Sequence, residues 1–172
     1  MVDKVLMPVA EARKRILEAI EPMVPERAAL NRALGRVLAG NVVAQRTQPP
    51  FDLSAMDGYA VRSRDVANPP TRLAVVGEAA AGGAYEGTLG ENEAVRIFTG
   101  APLPKGADAI IIQEDTERDG EYVISNFAAG VGAHVRQAGI DFKEGTVGLE
   151  AGRRLSSADI AFAAAMNMPN VI

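Results

Sequence analysis

The sequence contains no cysteine, which removes disulfides, thiolate metal centres, iron–sulfur clusters and cysteine nucleophiles at once. It contains one histidine, His134. Histidine-rich metal clusters are thereby excluded, and any metal this chain uses is expected to be a hard cation held by oxygen atoms, such as magnesium. Positive charge is not in excess either. Eighteen Lys and Arg stand against 22 Asp and Glu, for a formal net charge of -4, whereas a nucleic-acid surface needs a concentrated basic excess. A local pocket for a small anion stays open. No stretch approaches the roughly 20 apolar residues that span a bilayer. Asp3 and Lys4 stand near the front of a charged amphipathic start, so no apolar signal core is expected. These absences lead to the expectation of a cytoplasmic protein that binds neither nucleic acid nor membrane.

What is present suffices for a core: 172 residues, 48% of them hydrophobic, allow one domain or two small ones. Val9, Ala12, Ile16 and Ile20 recur at helical spacing with charged residues between them, and Pro8 suits a first turn, so a helix is predicted over 9–20. A second helix is predicted from Asn31, a possible N-cap, through Ala33, Leu34, Val37 and Leu38, with Gly40 and Asn41 as stop signals. From Val42 the pattern changes to short β-rich runs at 59–62, 73–77, 94–98, 109–113, 122–125 and 134–136, separated by Pro and Gly. A last helix is predicted to begin at Ser156 or Ser157, where Ser156 and Asp159 resemble a capping box, and to run to Met168. Helices at both ends with strands between them imply an α+β chain. A mainly-β domain at 49–138 is inserted into a small discontinuous α/β domain made of 1–48 and 139–172.

Three segments could carry chemistry. The first, Pro49-Pro50-Phe51-Asp52-Leu53-Ser54-Ala55-Met56-Asp57-Gly58-Tyr59-Ala60, reads either as a Pro-stiffened loop with an Asp-Gly turn into a strand or as a rigid display of oxygen atoms. In the second reading Asp52, Ser54 and Asp57 would suit a hydrated magnesium ion or a proton transfer. The next segment runs from Arg96-Ile97-Phe98-Thr99-Gly100-Ala101-Pro102 to Leu103-Pro104-Lys105-Gly106-Ala107-Asp108. It is a strand leaving into a turn, or a place where Thr99 and the amides near Gly100 meet an oxyanion. It is not a P-loop, because no Gly-Lys-Ser/Thr follows and the next run reads as a strand. In the third, His134-Val135-Arg136-Gln137-Ala138-Gly139-Ile140-Asp141-Phe142, Arg136 is most economically an ion-pair partner for Asp141 or Glu144. The competing reading makes Asp141 a second carboxylate on the same pocket as Asp57. Lys143, Arg153 and Arg154 read as a solvated face, and the small-residue stretch 79–90 as a mobile tip.

Taken in this order, the segments resemble the signature of the MoeA family, to which the E domain of gephyrin is related. The combination of Ser54-Ala55-Met56-Asp57-Gly58-Tyr59-Ala60 with Phe98-Thr99-Gly100-Ala101-Pro102 and Gly106-Ala107-Asp108 carries the resemblance, because generic turns do not demand that set. It extends over essentially the whole chain, including Ala33 to Ala39 and Gly152 to Leu155.

The resemblance implies an enzyme of molybdenum cofactor biosynthesis that takes adenylated molybdopterin and molybdate, uses magnesium, and releases AMP as molybdenum is inserted. It implies Asp57, Thr99 and Asp141 as catalytic residues facing a cleft, Asp57 and Asp141 organising the metal, and Ser54 and Gly100 binding substrate. A homodimer is implied, with the cleft completed by a C-terminal α/β pterin-binding domain, and with an enzyme that supplies adenylated molybdopterin as a partner. The chain stops at Ile172, before that domain, so alone it is expected to be inactive. The alternative is a non-catalytic dimerisation or protein-interaction module of the same family. Departures from the family pattern are Leu53 where Asn is usual, Ile140 where an acidic residue is usual, and Asn167 where Gly is usual.

Overall fold

The computed structural model describes residues 7–172. Asp3 and Lys4, used above against a leader, lie outside the described residues. The first element is helix α1, Val9–Glu18, which ends two residues short of the predicted Ile20 and buries none of its residues. Its apolar positions, Val9 and Ile16 among them, remain exposed. The amphipathic pattern therefore made a helix without finding a core in this chain.

The predicted second helix is not formed. After strand β1 (Ala28–Ala29), residues Leu30–Arg32 make a single 3-10 turn, and Gly35 then takes a left-handed corner at φ 77. Beyond it the backbone is tied across the chain. Gly35 N–H donates to Leu155 O at 2.8 Å and Leu38 N–H to Arg153 O at 3.0 Å, and Val37 bridges Arg154. These long-range bonds satisfy donors that a helix would have satisfied locally, and the glycine makes the corner inexpensive.

The next strands are β2 (Val42–Val43), β3 (Leu53–Ser54), β4 (Gly58–Val61), β5 (Thr71–Ala79), β6 (Glu93–Ile97), β7 (Ala109–Ile112), β8 (Thr116–Asp119) and β9 (Tyr122–Ser125). Six of them build one sheet in the order β7-β4-β6-β5-β9-β8. Only the β5–β6 pair is parallel. Side chains alternate across it: Tyr59, Val61, Leu73, Ala94, Ile111 and Val123 belong to one apolar cluster, and Ala60, Val95, Ile97 and Ile110 to another, with an irregularity in β5 between Val75 and Gly77 that moves Ala79 to the second. Burial on both faces explains why β7 reads as an uninterrupted Ala-Ile-Ile-Ile run. The stretch 79–90 is anchored near its two ends, where Ala79 and Leu89 are buried and Leu89 N–H donates to Lys105 O at 2.8 Å, while Ala80 to Ala84 between them are exposed.

The chain then returns through β10 (Val135–Arg136), β11 (Val147–Leu149), helix α2 (Ser157–Ala165) and β12 (Asn170–Val171). Here β1 pairs with β12 and β2 with β11, both antiparallel. A third apolar cluster joins Ala33, Leu38, Val42 and Ala44 to Phe142, Leu149, Leu155, Ala163, Met166 and Val171. Its members come from the two ends of the described chain, while the clusters of the large sheet come from the middle. The fold is thus α+β and sheet-dominated, with the mainly-β part interposed. The Ser156–Asp159 capping box is formed in full. No helix among the described residues is long and apolar enough to cross a membrane.

Candidate functional site

The three segments meet around β3. On one side it pairs with β10, Ser54 opposite Val135 and Leu53 opposite Arg136. On the other, Ser54 N–H donates to Ala101 O and Gly100 N–H to Ser54 O, both at 2.9 Å, and Leu53 bridges Pro102. Ala55 N–H donates to His134 O at 2.9 Å, with His134 in a left-handed conformation at φ 55. Asp52 fixes the third segment by accepting from Ala138 N–H at 2.8 Å. Residues far apart in sequence thereby share one small patch, although two-residue strands are all that regular structure contributes there.

Asp57 and Thr99 are in direct contact. Asp57 Oδ1 accepts from both Thr99 N–H and Thr99 Oγ1–H, each at 2.8 Å. The Thr99 amide, followed by its hydroxyl, holds the Asp57 carboxyl below the ordinary 3.8, and the Arg96 charge adds a smaller push in the same direction against partial desolvation. Asp57 is therefore ionised at neutral pH and unsuited to act as a general acid. Its Oδ2 has no hydrogen-bond donor among the described residues. The Thr99 hydroxyl uses its one hydrogen in the bond it donates to Asp57 Oδ1, so its oxygen can only accept from a further partner.

The other expected site residues are placed differently. Both Asp141 oxygens accept from Arg136 Nη2, at 2.8 and 3.0 Å, as the ion-pair reading of that segment had it. This pair is half-exposed and stabilises the fold little. Ser54 is buried, and its hydroxyl donates to Met56 O, fixing the turn instead of facing a ligand. Gly100 supplies a left-handed corner at φ 85. The amides that were expected to cradle an oxyanion are already committed: Thr99 to Asp57, Gly100 to Ser54, and Ala101 to Phe98 O. Closing the β3–β6 corner requires those bonds, and the same closure removes the donors.

Among the described residues no three His, Cys, Asp or Glu side chains converge as a metal-holding group. The side chains do not fit a magnesium ion caged by protein alone. Magnesium commonly binds through one or two carboxylates, waters and substrate phosphates, and Asp57 Oδ2 is the oxygen left for such a role.

Arg96 was not singled out by sequence. Its guanidinium donates to Gly58 O at 3.0 Å and Gln113 Oε1 at 2.7 Å and lies over the rings of Phe98 and Tyr59, 4.7 and 5.2 Å from their centroids. The available signal was period-two spacing, which puts Arg96 and Phe98 on one face of a strand. A polar cleft of ≈ 510 Å³ lined by Tyr59, Val75, Gly77, Glu78, Arg96 and Arg118 adjoins it. A larger apolar groove of ≈ 630 Å³, bounded by Pro22, Met23, Val37, Leu155 and Ile172, shares no residue with the three segments. Its size does not make it the reactive site, because it lacks the convergent polar groups such a site needs.

The fold is sheet-dominated α+β, and the loops that meet at β3 bring the Asp57 carboxylate and the Thr99 hydroxyl into one fixed pair. Residues 7–167 match the family model described as MoeA N-terminal region (domain I and II), and the chain belongs to that family. It is 40% identical over 164 residues to molybdopterin molybdenumtransferase 2 of Mycobacterium tuberculosis, covering 93% of this chain and 40% of that protein. It is 35% identical over 164 residues to molybdopterin molybdenumtransferase of Haemophilus influenzae, with 94% and 40% covered. The crystal structure of molybdopterin biosynthesis moeA protein from Pyrococcus horikoshii OT3 superposes with a TM-score of 0.90 at 34% identity, over 96% of this chain and 45% of that one. The chain thus spans about 40% of the length of the curated relatives it matches.

Proposed function

We propose that this chain supplies one wall of the active site of a molybdopterin molybdenumtransferase in molybdenum cofactor biosynthesis. In this reading the complete enzyme binds adenylated molybdopterin and molybdate, opens the phosphoanhydride, and leaves molybdenum on the dithiolene as AMP departs. The Asp57–Thr99 pair is the observation that carries the reading. It sits where the family's three signature segments join, it is ionised at neutral pH, and it keeps one carboxylate oxygen and the hydroxyl lone pairs free.

The role of each group follows from its protonation. Asp57 Oδ2 accepts from a donor on the substrate or meets the cation that accompanies it, and Thr99 Oγ1 accepts alongside. Asp141 is ion-paired with Arg136, and in this reading it serves the completed site as a second carboxylate whose charge the arginine tempers. Positioning and electrostatics supply most of the rate for such phosphoryl and oxyanion chemistry. A magnesium ion would screen the oxyanion charge, held mainly by substrate oxygens and water. The opposite wall in this reading is a C-terminal α/β pterin-binding domain within a cytoplasmic homodimer, and a separate enzyme supplies the adenylated substrate.

The test is reconstitution with adenylated molybdopterin, magnesium and molybdate, with and without the C-terminal domain of a full-length relative. Molybdenum insertion is expected only when that domain is present. Turnover by the chain alone would contradict the one-wall reading. A second reading, an assembly module without chemistry, is favoured by α1, whose apolar positions Val9, Ile16 and Leu17 are all exposed, as is Ile20 just after it. Restored activity in the reconstitution counts against it.

A further inference from the structure

We infer that Arg96 is a positioning residue that fixes the Asp57 carboxylate toward Thr99 by helping to clamp the consecutive carbonyls of Asp57 and Gly58 between two strands. The inference rests on the reading of Asp57 and Thr99 as the working pair. The clamp has two ends. Arg96, opposite Tyr59 in the β4–β6 register, donates to Gly58 O through Nη1 at 3.0 Å and to Gln113 Oε1 through Nη2 at 2.7 Å. Gln113 closes the ring, because its own N–H donates to Asp57 O at 3.0 Å. The Asp57–Gly58 corner is thus held from β6 by a guanidinium and from the end of β7 by a main-chain amide, and the two holders are bonded to each other.

Gly58 is paired with Ile97 of β6 and Ile112 of β7, and a Cβ there would lie 1.9 Å from Ile111 O. The backbone is thus packed closely at this corner, while its Asp57 and Gly58 carbonyls take the added bonds from Gln113 and Arg96. Phe98 and Tyr59 limit the guanidinium to one plane, and a planar fork so restrained loses little further entropy in making both bonds. A lysine would keep the charge but could not span two acceptors in fixed geometry.

Two main-chain amides report on Asp57 without any substrate: Thr99 N–H, bonded to Oδ1, and Gln113 N–H, bonded to Asp57 O. The experiment measures amide hydrogen exchange by NMR on this chain for Arg96→Lys, Arg96→Ala and Gln113→Ala. The amides of Ala74 and Val75, bonded to Asn92 O and Glu121 O elsewhere in the sheet, serve as references. Exchange at Thr99 and Gln113 is expected to quicken about tenfold or more in Arg96→Lys, with the references unchanged. Gln113→Ala is expected to quicken both reporters less, and it carries the test if Arg96→Ala does not fold. Unchanged exchange at the two reporters, or equal acceleration at all four amides, would overturn the clamp, the latter because it marks general destabilisation. In the reconstituted enzyme Arg96→Lys is expected to lower kcat by about tenfold or more with KM altered less. Quickened exchange combined with full turnover in Asp57→Asn would leave the clamp standing and sink the functional reading instead.

Discussion

Asp57 Oδ1 receives two hydrogen bonds from one residue, the amide and the hydroxyl of Thr99, both at 2.8 Å. The pairing couples a turn preceding β4 to the turn following β6, 42 residues away. Because amide and hydroxyl come from the same residue, the carboxylate cannot turn without losing both. Its free oxygen therefore has one direction, which a group that only orients or accepts requires.

Gly58 is the nearest point at which that arrangement can be broken without touching a polar atom. An added Cβ would meet Ile111 O at 1.9 Å and Ile111 C at 2.9 Å. Backbone cannot yield as a flexible side chain would, so β4 and β7 would have to separate. Gly58→Ala is expected to lower unfolding stability by about 2 kcal/mol, read from the urea midpoint. An unchanged midpoint would show that the β4–β7 contact is looser than described.

The start of α2 carries a pH-dependent contribution. Asp159 accepts from Ser156 Oγ–H and N–H at 2.7 and 2.8 Å and from Arg153 Nε at 2.9 Å. The two Ser156 bonds, then Arg153, lower its pKa from 3.8 to about 2. A carboxyl depressed on folding stabilises the native state above its unfolded pKa, and the contribution disappears as pH falls through the folded value. Stability is expected to drop between pH 3.8 and about 2, and Asp159→Asn is expected to flatten the curve over that window. Ser156→Ala should cost about 1 kcal/mol at neutral pH. A curve with the same slope in Asp159→Asn would assign the acid sensitivity elsewhere.

Asn167 follows α2 in the left-handed region at φ 63. Asn tolerates this conformation better than other residues with a side chain, so it suits the helix stop. Asn167→Gly is expected to be neutral or slightly stabilising, and Asn167→Val to lose about 1–2 kcal/mol, measured by thermal unfolding. Equal stability of the Gly and Val variants would contradict a conformational reason for the residue.

Five of the six strands of the large sheet were legible because period-two burial and Pro-Gly punctuation are local signals, with β9 predicted residue for residue at Tyr122–Ser125; β8, Thr116–Asp119, was missed because this edge strand is polar and mostly exposed. The capping box at Ser156 was equally local. Residues 31–38 misled because Ala33, Leu34, Val37 and Leu38 have helical spacing, while the bonds to Arg153 and Leu155 that decide their conformation are non-local. The same division holds at the site. Asp57 and Thr99 stood out within their segments, but no local pattern showed that the amides of residues 99–101 would be spent on closing the corner. Nor did any pattern show that Arg96, Gln113 and Asp52 would hold it.

The account turns on Asp57 and Thr99 acting as one unit, and the most direct measurement is a double-mutant cycle on molybdenum insertion. It uses the chain joined to the C-terminal domain of a full-length relative, comparing Asp57→Asn, Thr99→Val and the double variant at matched thermal stability. Each single variant is expected to lower kcat/KM by about 10- to 100-fold, with the double variant little worse than the more damaging single one, as for groups that work together. Undiminished turnover in Asp57→Asn, or losses that simply multiply, would contradict it.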